Sequence, residues 1–198
     1  MKSSGIKTST VLASFLLAAC LSMHAEVKLP AIFSDGMVMQ QQTNANLWGM
    51  ATPNKKVTVT TGWNRKQYAV TADKNGSWKL SVSTPEAGGP YTITFDDGTP
   101  KTLNNILIGE LWLCSGQSNM EMPMKGFKNQ PVENANMDIL RSKNPHIRLF
   151  TVKRTSTITP QNDVVGSWKE AAPVSVRDFS ATAYYFGRLV NEILEVPV

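Results

Sequence analysis

"ILIGELWLC", residues 106–114, decides how the chain is to be read. The run is almost continuously apolar, interrupted only by Gly109 and Glu110. Such a run marks a strand covered on both faces, as in a parallel sheet flanked by helices. On its N-terminal side apolar residues recur with period two, and on its C-terminal side with helical spacing. The chain therefore changes grammar after Asn105. A β domain is expected over residues 26–105, and the first part of an α/β domain over residues 106–198.

Upstream, Val57, Val59 and Thr61 alternate with Thr58, Thr60 and Gly62. Tyr68, Val70 and Ala72 lead to Asn75-Gly76, after which Trp78, Leu80 and Val82 resume the alternation. Asn-Gly between alternating runs is a strong hairpin signal, because both central residues must tolerate positive φ. "YTITFDDGT" repeats the device, with Tyr91, Ile93 and Phe95 on one face and Asp97-Gly98 at the turn. No helical spacing interrupts these strands, so an antiparallel β-sandwich is expected. Its aromatic residues suit either core packing or a sugar-stacking platform, and packing is the commoner role.

Downstream, "NQPVENANMDILRSK" reads as a helix capped by Asn129, with Pro131 in its first turn and Val132, Ala135 and Ile139 on one face. "HIRLFTVKR" reads as an extended segment of mixed burial. In "DFSATAYYFGRLVNEILEVPV", Ser180 is a helix cap, and Ala183, Phe186, Val190, Ile193 and Leu194 are helically spaced. Val196-Pro197-Val198 reads as the beginning of another strand, so the α/β region is expected to be incomplete within this chain.

Between the apolar run and the first helix stand two serines, Ser115 and Ser118, in "CSGQSNM". A turn at Gly116-Gln117-Ser118-Asn119 lifts a side chain off the carboxyl edge of the sheet, where open α/β sheets place their sites. A helical turn starting at Ser118 would aim its backbone N–H at a developing oxyanion. Gly116 leaves room for an approaching ester, and Asn119 is suited to hold the loop through its side chain. A polar turn ending a strand has the same residues, and Gly-x-Ser alone does not separate the two readings. Metal-ligand spacing is absent, since two cysteines and two histidines lie far apart. No phosphate-binding loop or dinucleotide glycine fingerprint is present, and no cofactor is expected.

The longer string "GELWLCSGQSNMEMPM" closely resembles the first conserved block of the sialate O-acetylesterases, within the SGNH-hydrolase class. "EVKLPAIFSDGMVMQQ", residues 26–41, resembles the entry to that family's N-terminal β domain, and "FSATAYYFGRLVNEILEVPV" resembles a helix preceding its next strand. The resemblance implies a flavodoxin-like hydrolase domain and removal of O-acetyl groups from sialic acid or related carbohydrates. It places the nucleophile on Ser118, with Ser115 as the alternative, and Gly116, Gln117 and Asn119 in the supporting loop. A serine nucleophile requires a base, normally a histidine oriented by an acid. In these enzymes both come from an Asp-x-x-His block, for which this chain has no counterpart. Only His24 and His146 occur, and His146 reads as a surface or strand-end residue. The 198 residues alone are expected to be inactive. A xylan or other carbohydrate acetylesterase, or a non-catalytic glycan-binding β-sandwich, would share this opening.

Composition sets the remaining bounds. With 41% hydrophobic and 18% charged residues the chain is of globular type. Residues 1–25 read as a signal peptide, with Lys2 and Lys7 before an apolar run too short to span a bilayer. Taking those two lysines from a net charge of +5 leaves +3, too little and too scattered for nucleic acid. Leu17-Ala18-Ala19-Cys20 resembles a lipobox, so either Cys20 carries a lipid anchor or cleavage follows Ala25. Export to the periplasm, the outer membrane or the medium is expected either way. Cys114 is then without a disulfide partner and reads as a small buried strand residue.

Overall fold

Alternation of apolar and small polar residues builds the first half from strands. The computed structural model describes residues 26–198; the expected signal peptide, with Cys20 and His24, lies outside them. The strands are β1 (Val38–Gln40), β2 (Asn44–Met50), β3 (Lys56–Thr61), β4 (Gln67–Thr71), β5 (Ser77–Ser83), β6 (Gly88–Asp96) and β7 (Pro100–Gly109). Five of them form a sheet in the order β1-β7-β6-β3-β4, while β2 and β5 pair separately. All neighbours are antiparallel except β1 and β7, which run parallel with Val38 opposite Leu107. Register shifts between Gly88 and Ile93 mark irregularities in β6, of the kind that bend and twist a strand, and the sheet curls.

Both sheets turn their apolar faces to one core. Leu47, Trp78 and Val82 come from the pair, and Val57, Val59, Ile93, Phe95, Ile106 and Ile108 from the larger sheet. Trp78 and Phe95 meet with ring centroids 5.9 Å apart. Burial of a side chain such as Phe95 is worth about 1.5–3 kcal/mol. Asp97-Gly98 closes the β6–β7 hairpin, with Gly98 at φ 119°.

Asn75-Gly76 turns the chain but makes no hairpin. β4 and β5 belong to different sheets, and only Gly76 has positive φ, at 84°. The Asp73 carboxylate accepts from the N–H groups of Asn75 and Ser77 at 2.7 and 2.9 Å. This side-chain turn replaces the two-residue hairpin turn and carries the chain across the corner between sheets.

After β7 come α1 (Ser118–Glu121), α2 (Ala135–Leu140), β8 (Asn144–Phe150), β9 (Trp168–Ala171), α3 (Pro173–Val176) and α4 (Ala181–Leu194). β8 and β9 pair antiparallel. A second core gathers Met124, Ala135, Ile147, Leu149, Ala171, Val176, Ala181 and Tyr184. α4 starts where its cap was expected, Ser180 Oγ accepting the Ala183 N–H at 3.3 Å. Its buried face is Ala181, Ala183, Tyr184 and Gly187, whereas Phe186, Ile193 and Leu194 are exposed. Small residues let the backbone approach its neighbours, and this selects the face.

Three expectations in this half need correction. The helix read from Asn129 begins at Ala135, because Asn129 and Asn134 both take positive φ, 62° and 57°. Val132, Ala135 and Ile139 still pack together. The apolar run is a buried strand only as far as Gly109; Leu111, Trp112 and Leu113 are exposed, Leu113 to 90%. Cys114 is likewise exposed and free, not buried. Ile106–Ile108 lie between β1 and β6, while past Glu110 no described segment covers the chain on both faces.

Arg148 in β8 clasps the two halves. Its guanidinium donates to the carbonyls of Gly36 (3.0 Å) and Pro145 (2.8 Å) and to Asn105 Oδ1 (3.0 Å). It pairs with Glu170 at 3.3 Å, its own side chain being 3% exposed. Burial draws its pKa down and Glu170 opposes that. Gly36 is required here: its φ is 80°, and a Cβ would sit 3.0 Å from the guanidinium. Nearby, Asp163 accepts the Ala31 N–H (2.7 Å), Asn162 the Trp48 indole N–H (3.2 Å), and Ile32 the Trp168 indole N–H (2.8 Å). Residues 162–168 thus strap the rim of the first core.

Candidate active site

Ser118 opens α1 and is exposed. Gln117 precedes it with φ −120° and ψ −136° and accepts the Glu121 N–H through its carbonyl at 3.0 Å. Gly116 fits closely, since a Cβ there would lie 3.1 Å from that of Met120. Among the described residues, no partner occupies the N–H groups of Ser118 and Asn119. They are free to serve an acceptor from outside.

The turn is held by the start of α4. Thr182 donates to the Asn119 carbonyl at 3.1 Å, and Ser180 to the Met120 sulfur at 3.4 Å. Ala181 N–H donates to the Met122 carbonyl at 2.8 Å, and Met124 N–H to Phe179 at 2.9 Å. Asn119 therefore anchors the loop by its backbone, whereas its side chain was expected to do so. Gly116, Gln117, Ser118 and Asn119 stay together as one exposed turn, with Ser115 exposed beside them.

A carboxylate missed in the sequence follows the end of β7. Glu110 accepts from Gln40 Nε2 at 3.2 Å and Gln41 Nε2 at 2.8 Å, and Gln40 in turn accepts the Leu111 N–H at 2.9 Å. Gln40 at the end of β1 and the adjacent Gln41 thereby fix the chain as it leaves β7. The signal was present, since both glutamines and Glu110 lie inside the two motif strings, but they are about 70 residues apart. Beyond Ser118, Glu121 pairs with Arg154 at 2.8 Å.

Among the described residues no base meets the serine. His146, exposed in β8, makes no hydrogen bond to Ser118; its N–H donates to Asn144 Oδ1 at 2.9 Å and its carbonyl accepts from Val198. Among the described residues no group of histidine, cysteine and carboxylate side chains has metal-binding geometry, and no helix is long and apolar enough to cross a membrane. A cleft of about 700 Å³ lies between the segment following β7, the end of β8 and α4. Met120 and Glu121 line it, while neither Ser118 nor His146 does.

No family model matches the chain. It is 28% identical over 204 residues to the sialate O-acetylesterase of Mus musculus, covering 92% of this chain and 37% of that protein. The sialate O-acetylesterase of Rattus norvegicus is 29% identical over 180 residues, covering 82% and 32%. The crystal structure of a carbohydrate acetylesterase from Xanthomonas citri superimposes with a TM-score of 0.80 at 29% identity, over 87% of this chain and 39% of that one. Over most of its length, then, this chain is similar to sialate O-acetylesterases in sequence and to a carbohydrate acetylesterase in structure, and it spans about a third of the length of each.

Proposed function

We propose that the chain is part of a carbohydrate O-acetylesterase acting on O-acetylated sialic acid or a related sugar, with Ser118 as nucleophile. What supports this is the similarity to acetylesterases over most of the chain, with Ser118 at the head of an exposed, braced turn. Ser118 Oγ attacks the acetyl carbonyl, the sugar hydroxyl leaves, and water releases acetate from the acyl-enzyme. The free N–H groups at the turn are the oxyanion donors. Glu110, locked by Gln40 and Gln41, positions the strand exit that carries the serine. The His146 ring makes no hydrogen bond to Ser118, so in this reading the proton acceptor and its acidic partner belong to the part of such enzymes that this chain does not span.

In this reading residues 26–105 form a β-sandwich domain, to which the end of β7 adds Ile106 and Ile108, and residues 106–198 otherwise open a flavodoxin-like SGNH-type domain. Residues 1–25 direct export, with Cys20 either lipidated or removed. The structural neighbour is a carbohydrate acetylesterase, a wider class than the sialate esterases, so acetylated xylan is to be tested beside sialic acid.

The test is acetate release from both substrates by the protein as its gene encodes it, wild type against Ser118→Ala and Ser115→Ala. Ser118→Ala should lower turnover about a millionfold, the scale seen for a catalytic serine, and Ser115→Ala should leave most of it. Activity that survives Ser118→Ala would refute the assignment.

A further inference from the structure

α1 is a single turn, so Glu121 follows Ser118 by three residues and shares its face. The Glu121 carboxylate accepts from Arg154 Nη1 at 2.8 Å. Arg154 belongs to the segment that joins β8 to β9, and the base of that segment is closed. Lys153 N–H donates to the Val165 carbonyl at 2.8 Å, and Asp163 accepts the Ala31 N–H at 2.7 Å. A guanidinium on a fixed stretch of backbone is thus held against the face of α1 that carries the serine. Glu121 and Arg154 also line the cleft, so the pair joins that face to the cleft wall.

The other charged groups of the cleft are committed, with one exception. Glu110 accepts from Gln40 and Gln41, and Asp178 pairs with Lys125. Arg148 is spent on Gly36, Pro145, Asn105 and Glu170. Arg154 differs from these. Its side chain is 87% exposed, and among the described residues Glu121 takes one of its N–H groups and nothing takes the rest. Lys153 is the exception: it lines the same cleft and makes no ion pair among the described residues. An ion pair as exposed as that of Arg154 adds little to the stability of a fold. Its effect is to hold a long, mobile side chain in one place. The unspent edge of the planar guanidinium matches the two oxygens of a carboxylate, and part of the cost of ordering the side chain is met before a ligand arrives.

We propose that Arg154, set by Glu121, is a specificity-determining residue that binds a carboxylate of the sugar, so that the acetyl esters served by this site are those of acidic sugars. This rests on the Ser118 reading. With its acetyl carbonyl at Ser118, an acidic sugar extends along the shared face of α1 and lays its carboxylate on the open edge of the guanidinium. Glu121 keeps the edge it already holds. Two carboxylates then share one arginine, and Lys153 supplies the second positive charge. A neutral sugar such as xylose offers hydroxyl groups alone and gains neither the bidentate fit nor the charge. Arg154 therefore separates the two substrates left side by side above.

The experiment uses the protein as its gene encodes it and two matched sugars, O-acetylated sialic acid and the same compound with its carboxylate converted to the amide. Wild type should favour the acid over the amide by about tenfold or more in kcat/KM, the scale of a hydrogen bond to a charged group. Arg154→Gln should bring the two within about twofold of each other, the loss appearing as a raised KM for the acid. Arg154→Lys keeps the charge without the planar fork and should restore only part of the preference. Added salt should raise the KM of wild type for the acid more than that of Arg154→Gln. Calorimetry with the deacetylated acid and its amide needs no turnover, and should show the same preference in wild type and its loss in Arg154→Gln. Activity that survives Ser118→Ala would sink the nucleophile reading, and the calorimetric comparison would still decide the role of Arg154. An acid preference that Arg154→Gln leaves intact would overturn the proposal, as would a wild type that binds acid and amide equally. A fall in kcat for both sugars at unchanged KM would overturn it too, because Arg154 would then act on the turn and not on the carboxylate.

Discussion

Arg148→Met is the sharpest test of how the two halves hold together. Methionine roughly keeps the aliphatic bulk but removes every donor. Three hydrogen bonds and one ion pair disappear, and they are not equal. The bond to the Gly36 carbonyl is buried, whereas those to Pro145 and Asn105 are partly buried and water can replace them in part. Glu170 is 52% exposed and rehydrates when its partner goes. One buried carbonyl left unpaired costs about 1–3 kcal/mol, and the two weaker bonds add about 1 kcal/mol together. The expected loss is about 3 kcal/mol, which for a chain of this size lowers Tm by about 6–12 °C. Urea unfolding followed by tryptophan fluorescence reads it as a fall in midpoint at unchanged slope. Glu170→Gln, by contrast, should cost under about 1 kcal/mol, the range of an exposed pair. The reasoning fails if Arg148→Met unfolds within about 0.5 kcal/mol of wild type, or if Glu170→Gln is the costlier change.

Ser180→Ala removes the cap of α4 and its bond to Met120; thermal unfolding should show a loss of about 1 kcal/mol. Gly49→Ala drives a Cβ to 2.5 Å from the Lys28 carbonyl and 3.0 Å from the Trp78 ring, so soluble yield and Tm should fall more than for Gly187→Ala, whose Cβ meets only the Val198 side chain at 3.6 Å. Asp138 accepts from Tyr185 at 2.7 Å and Arg188 at 2.8 Å, and the Tyr185 bond first, then Arg188, holds its pKa below the usual carboxylate range. That stabilisation is complete above the unfolded value of about 3.9 and is lost as pH falls through the lower folded value. The stability gap between wild type and Asp138→Asn, measured by urea unfolding, should be constant near neutrality and shrink below about pH 4. Tyr185 is pushed up to about 12, chiefly by burial, so its share persists in alkali and should fade only between about pH 10 and 12.

What could be read from the sequence was local. Val57, Val59, Ile93 and Phe95 declare their face by alternation, and Ser180 declares the start of α4, because each signal lies within a few residues. Arg148 gave no such sign. In "HIRLF" it looks like a polar strand position, and its partner Gly36 lies 112 residues away. Asn75-Gly76 misled for a related reason: Asp73, two residues before, took over the turn, and nothing local tells a corner from a hairpin. Leu111–Cys114 were assigned a buried strand on hydrophobicity alone, yet burial depends on neighbours that a run of apolar residues does not specify. Ser118 is proposed from a motif, while the hydrogen bonds of Glu110 with Gln40 and Gln41 emerge only in the folded chain.

The strap over the first core has a consequence for synthesis. Its bonds to Ala31 and Ile32 close loops of 132 and 136 residues. By loop-closure entropy that costs about 2 kcal/mol more than a ten-residue loop, and such long-range pairings slow folding. On the ribosome the strands through β7 emerge well before Asn162 does. A nascent chain arrested there would carry a formed β layer whose rim, at Phe33 and Trp48, is still wet. Only when Trp168 has emerged can that rim close, so between β7 and the strap the emerging chain exposes this apolar edge.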